Sequence, residues 1–292
     1  MTGFKPAILA VLLLSACGGN PFVAPSDDGG GPPATPLIPA TVTKHVAAAG
    51  LDTWAADDVT LRIRMTAQDA TDLDADYERD ASLDVGSYQA YVYQSTTSNR
   101  KVVALVNGTS SIKAVAAMEA GQFANDHMGG QVWRADVFTA PSAGVGAEFD
   151  YSGTYAGLLN IGELTDGGPG GTLNPTQAYR TTGRTLITAD FTEMSVSGGV
   201  DQRKIIETDE ALADIALWKT GISADGTFAD AVYRGDGDNW GEVGEYAGAF
   251  AGLNASEIAV LLVFKPMSNP QVIEQGIITL PSCTTGGGPA CP

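Results

Sequence analysis

Residues 245–264 read Glu-Tyr-Ala-Gly-Ala-Phe-Ala-Gly-Leu-Asn-Ala-Ser-Glu-Ile-Ala-Val-Leu-Leu-Val-Phe. Aromatic and β-branched residues fill two runs, Glu245–Leu253 and Ser256–Phe264, and a short turn separates them. That pattern is a strand, a turn and a strand. Working back along the chain, Thr227–Arg234 and Ile215–Ile222 have the same character, and Asp225-Gly226 between them is a strong hairpin signal. Glu193–Ser197, Thr185–Phe191 and Tyr151–Ile161 precede them, and Gly276–Leu280 supplies an eighth run towards the C-terminus. Ser197-Gly198-Gly199 could turn or kink the sheet, and Thr208–Leu212 reads as a helical turn between strands. Eight strands with short connections close readily into a small barrel filled by side chains.

The chain before Tyr151 is less regular. Strands are expected at Val59–Thr66, Ser87–Gln94, Lys101–Val106 and Gln131–Thr139, while Ala114–Met118 could be strand or helix. Six aspartates between Thr66 and Asp84 suggest a solvated loop or a ragged strand edge. The whole is all-β, as one large domain or two smaller ones.

At the N-terminus Lys5 precedes an apolar run, Ala7–Leu14, far too short to span a bilayer and the size of a signal-peptide core. It ends in Leu14-Ser15-Ala16-Cys17, which resembles the lipobox of bacterial lipoproteins. The resemblance implies cleavage after residue 16 and acylation of Cys17, so the partner at this end is a lipid bilayer. Gly18 in place of Asp after the cysteine points to the outer membrane. The Gly/Pro-rich stretch that follows cannot bury a core and reads as a tether. Loss of Lys5 leaves 15 basic against 34 acidic residues, a net charge of −19, which argues against a nucleic-acid partner. With Cys17 acylated, Cys283 and Cys291 remain for a disulfide, favoured in an oxidising compartment over two free thiols. Only His45 and His127 could add imidazole ligands, so a Cys/His zinc site is nearly excluded, and no cofactor is expected.

Several local patterns are similar to the β-barrel domain of the transferrin-binding protein B family of surface lipoproteins. These are Tyr151-Ser-Gly-Thr-Tyr-Ala-Gly157, Gly183-Arg-Thr-Leu186 running into Ala189-Asp-Phe191, Val196-Ser-Gly198, and Gly248-Ala-Phe-Ala-Gly252 followed by Ala255-Ser-Glu257. Upstream, Tyr77-Glu-Arg-Asp80, Tyr88-Gln-Ala-Tyr91, Gly121-Gln-Phe123 and Gly129-Gly130 resemble the preceding part of such lipoproteins. The resemblance implies a β handle packed on an eight-stranded antiparallel barrel. It divides the chain into signal peptide 1–16, lipidated Cys17 and tether to 40, handle 41–149, barrel 150–282 and tail 283–292. Tyr155, Phe191 and Phe250 would fill the barrel or plug an end, and Glu257 would cap the closing turn or pair locally. The implied role is capture of a protein or iron/haem-type ligand for an outer-membrane transporter, or adhesion. One handle–barrel lobe in place of two is a departure from the true receptors.

No catalytic constellation is present: the nucleophile elbow, phosphate loop and dinucleotide fingerprint are absent. His127 in Asn125-Asp-His-Met128 reads as a surface or turn histidine, and the chain is not expected to be an enzyme. In Arg234-Gly-Asp-Gly-Asp-Asn-Trp-Gly241, Asp236, Asp238 and Asn239 could offer oxygens to Ca²⁺, but an acidic hairpin loop explains them better. For partner binding the residues singled out are Trp240, Asp238, Asn239 and Trp133, since Trp is enriched in interface hot spots and loop tips carry function on a rigid barrel. Two alternatives stand beside this reading. One is a periplasmic lipocalin-like carrier with a ligand-sized void inside the barrel, the other a structural envelope lipoprotein.

Overall fold

The computed structural model describes residues 37–66, 73–94, 101–120, 127–135, 138–142, 147–161, 178–236, 239–268 and 272–283. The signal peptide, Cys17 and the tether to residue 36 lie outside them. Among the described residues no helix is long and apolar enough to cross a membrane.

After a single helical turn, α1 (Ala40–Thr43), seven strands follow: β1 (Val46–Ala49), β2 (Thr60–Met65), β3 (Leu73–Arg79), β4 (Gln89–Gln94), β5 (Lys101–Gly108), β6 (Ile112–Ala120) and β7 (Met128–Arg134). Each pairs antiparallel with the next. The sheet curls until its ends meet, where Lys44 bridges to Gly129 and the His45 N–H donates to Met128 O at 3.0 Å. Period-two alternation explains β2: Leu61, Ile63 and Met65 face inward while Arg62 and Arg64 face solvent. The acidic segment, expected as a solvated loop or a ragged strand edge, contains β3, because Ala75 and Tyr77 alternate inward with Asp74, Asp76 and Glu78 outward. Arg62 then reaches Asp74 at 3.0 Å and Asp76 at 3.2 Å across the strand pair. The Ala114–Met118 ambiguity resolves as strand β6, buried at all nine positions. Its two faces meet two different cores, which is why an apolar run without alternation still forms a strand.

The remaining strands are β8 (Glu148–Ile161), β9 (Tyr179–Asp190), β10 (Ser195–Ile205), β11 (Ile215–Gly221), β12 (Thr227–Asp236), β13 (Asn239–Ala251), β14 (Glu257–Phe264) and β15 (Val272–Pro281). All eight close into an antiparallel barrel through β15–β8 pairing, so every run expected from sequence is there, several of them longer. Thr208–Leu212 is not helical. The N–H groups of Ile205 and Leu212 cross to Glu210 O and Arg203 O, so the segment folds back along β10, and Leu212 is buried. Tyr151, Tyr155, Phe191, Phe228, Tyr246 and Phe250 fill the interior, with Phe250 5.1 Å from Phe228 and 5.2 Å from Phe191 between ring centroids. Phe138, beyond the end of β7, packs on the Phe191 and Phe250 rings at that end. Aromatic side chains thus occupy the space that an interior ligand of the lipocalin kind would need.

The outer faces of β8 and β13–β15 rest on β5–β7. Ala156, Ala247, Ala249, Ala259 and Leu261 meet Leu105, Ala114, Ala116 and Met118 in one core. The many alanines let the two sheets approach closely. Glu257 does not act locally: it accepts a hydrogen bond from the Thr109 hydroxyl, 148 residues away, and ties the closing hairpin to the handle.

Candidate functional site

On the barrel, β11, β12 and β13 carry Trp218, Tyr233 and Trp240 outward. Strand alternation fixes this, since Leu217 and Val232 beside the first two are buried inside. Trp218 and Trp240 are 53% and 46% exposed, the largest aromatic surfaces on the described chain. The Trp218 and Tyr233 rings lie 4.7 Å apart between centroids, tilted by 39°. Trp240 pairs across the hairpin with Gly235, and its indole covers the glycine: a Cβ there would come within 2.9 Å of the ring. An aromatic shielding a strand glycine is a known sheet device.

Two register breaks frame this surface. Trp218 and Lys219 together oppose the single Ser197 of β10, where the sequence suggests a kink at Ser197–Gly199. On the other side Val243 is an extra residue of β13 opposite the Val232–Tyr233 step. Bulges re-aim side chains and bend the strand locally. The Tyr246 hydroxyl, inside the barrel, donates to Trp218 O and holds β11 from below. Glu242 and Glu245 are exposed on β13 beside the rings. The surface combines flat, rigid apolar planes with negative charge, which suits association.

The other residues expected in a site fall apart. Asp236 and Asn239 form the last pair of the β12–β13 hairpin, and Asp238 lies outside the described residues, as do Cys17 and Cys291. The Cys283 N–H donates to Asp150 O at 2.8 Å at the barrel's end. Trp133 belongs to the handle, where the Lys113 ammonium sits 4.8 Å from its ring centre and donates to Leu51 O and Trp54 O. Burial pushes the Lys113 amine below its ordinary value. Trp133 and Trp240 therefore stand on different sheets. Trp218 and Tyr233 are missing from the sequence-based selection, although alternation within Ile215–Ile222 already turns Trp218 away from the core.

Two buried polar clusters also escape the sequence reading. Inside the barrel, Glu274 accepts from the Tyr155 hydroxyl (2.6 Å), the Thr181 hydroxyl (2.5 Å) and Arg203 Nη2 (2.5 Å), all fully buried. Arg203 also donates to Ala213 O and lies 4.9 Å over the Phe264 ring. Burial, then the nearby Glu274 charge, raises the Tyr155 phenol well above its ordinary value, so it stays a donor. In the handle, His127, expected as a surface or turn histidine, is buried. Its Nδ1 meets the Glu119 carboxylate and its Nε2 is 2.8 Å from Thr66 O. Both clusters are sealed from solvent and do structural work. Among the described residues no group of His, Cys, Asp and Glu is arranged to hold a metal ion.

No protein-family model matches the chain, and no curated protein does. Among solved structures it is similar to a double mutant of the vaccine antigen transferrin binding protein B from Haemophilus parasuis Hp5. The identity is 12% and the TM-score 0.41, covering 77% of this chain and 51% of that one. Intact Ap-transferrin binding protein B, with N and C lobes, gives 11% identity and a TM-score of 0.39, covering 77% and 52%. The isotype 1 protein from serogroup B Neisseria meningitidis gives 14% and 0.33, covering 75% and 39%. The chain spans about half the length of the first two. These neighbours come from the family whose motifs the sequence resembles, while the fold itself rests on the strand pairing above.

Proposed function

We propose that this chain is a non-enzymatic binding protein, carried on the outer membrane by acylated Cys17 and facing outward, whose barrel docks a protein ligand through Trp218, Tyr233 and Trp240. The exposure of two tryptophans, with a half-buried tyrosine beside them, on one rigid, filled sheet face carries this reading. Such residues dominate interface energetics, and the cost of ordering them is already met by the strands. The resemblance of the sequence motifs to surface lipoproteins supports the location and a ligand of the protein or iron/haem type. The Cys283–Cys291 disulfide would fasten the tail beside the barrel's end.

The test is affinity capture from outer-membrane extract and culture medium, comparing the chain with a Trp218→Ala/Trp240→Ala variant of unchanged melting temperature. A protein retained by the first and at least tenfold depleted on the second is the expected result. Equal retention on both would remove the aromatic face from the function. Protease treatment of intact cells, with a periplasmic marker as control, checks the outward orientation: loss of the chain while the marker survives is expected.

A further inference from the structure

A groove of about 290 Å³ opens along the seam between handle and barrel, near the start of β1. Its walls are apolar, made by Met128 on one side and Val243, Val263 and Ile273 on the other. Lys44, His45 and Lys265 also line it, together with a single acid, Glu245. In a chain of net charge −18 with seven lysines, that pairing of cations is unusual. Lys204 and Lys219 are bound to Asp209 and Glu193, and Lys113 is buried on carbonyls. Lys44 and Lys265 are exposed, and among the described residues neither makes an ion pair. Lys44 also holds φ 49° and ψ −118°, backbone space that glycine occupies at no cost and a lysine does not. Strain kept at a non-glycine residue is a mark of ligand sites.

An apolar trough whose lining holds two lysines against one acid complements a molecule with an apolar body and one anionic end. We infer that this groove binds a free amphipathic monocarboxylate, its chain against Met128, Val243, Val263 and Ile273 and its carboxylate between Lys44 and Lys265. The site lies outside the barrel interior; it adjoins the aromatic face through Val243 and Glu245 of β13 but uses none of its three rings.

Calorimetric titration of the purified chain with octanoate, 1-octanol and acetate tests it. Octanoate is expected to bind one to one, 1-octanol at least tenfold more weakly, and acetate not at all. The Lys44→Gln/Lys265→Gln variant, with unchanged melting temperature, is expected to lose the tenfold advantage of octanoate. The Trp218→Ala/Trp240→Ala variant is expected to bind octanoate as the parent does, so failure of the aromatic-face reading and failure of this one are distinguishable. Equal affinity for octanoate and octanol, or undiminished binding by the lysine variant, overturns the inference. Sedimentation of the chain with phosphatidylglycerol vesicles in the absence of octanoate binding would overturn it too, by assigning the lysines to a membrane surface.

Discussion

Replacing Glu274 with Leu strikes the barrel where its polar core is least tolerant. The carboxylate accepts from Tyr155, Thr181 and Arg203, and all four side chains are buried. After the substitution the Arg203 guanidinium keeps one hydrogen bond, to Ala213 O, and the faces of Phe264 and Tyr155. Its Nε already lacks a hydrogen-bond partner. Removing one member of a buried ion pair costs about 3–5 kcal/mol because the other charge is stranded. The two orphaned hydroxyls act in the same direction, so the upper half of that range is expected. That is a large part of the ~5–15 kcal/mol by which a domain is stable. The double variant Arg203→Leu/Glu274→Leu removes the stranded charge, and it is expected to recover about 2 kcal/mol or more of the loss. Urea unfolding followed by circular dichroism reads both, with midpoints compared at constant slope. A single-variant loss under about 1 kcal/mol, the range of exposed pairs, or a double variant worse than the single, would refute the account of Glu274 as the counter-charge of Arg203.

Other outcomes follow from the same packing. Burial raises the phenols of Tyr77, Tyr151 and Tyr246 and pushes Tyr88 up to about 12, so between pH 10 and 12 the folded state holds protons that the unfolded state releases. Stability is therefore fully present below pH 10 and falls as pH rises through 12; urea midpoints that stay level from pH 9 to 11.5 would contradict this. Gly276→Ala places a Cβ 2.2 Å from the Tyr155 hydroxyl and is expected to cost about 1–3 kcal/mol by overpacking, read by the same unfolding assay. Trp218→Ala/Trp240→Ala, by contrast, is expected to shift stability by no more than about 1 kcal/mol in total, since both rings are about half exposed.

The strands of the barrel were legible in the chain because each contrasts an inward residue with an outward one at period two. Leu217 beside Trp218 and Val232 beside Tyr233 are examples, and Asp225-Gly226 marks its own turn. The acidic segment hid β3 because Asp74, Asp76 and Glu78 outnumber Ala75 and Tyr77; the inward pair becomes decisive only once β2 lies alongside. Strand β6 carried no alternation, since both its faces are buried, and only the docking of handle on barrel distinguishes it from a helix. Sequence also selected Trp240, whose loop composition draws attention, and passed over Trp218, which joins it only when β11 and β13 flank β12. Arg203 and Glu274, 71 residues apart, and Glu119 and His127 around their own turn, meet through closure of a sheet. Local composition and period are properties of neighbouring residues, so the sequence alone determined the runs that form the barrel strands, though not β3 or β6 of the handle. Which side chains share a surface or a charge depends on contacts between strands distant in the chain, and those exist only in the tertiary structure.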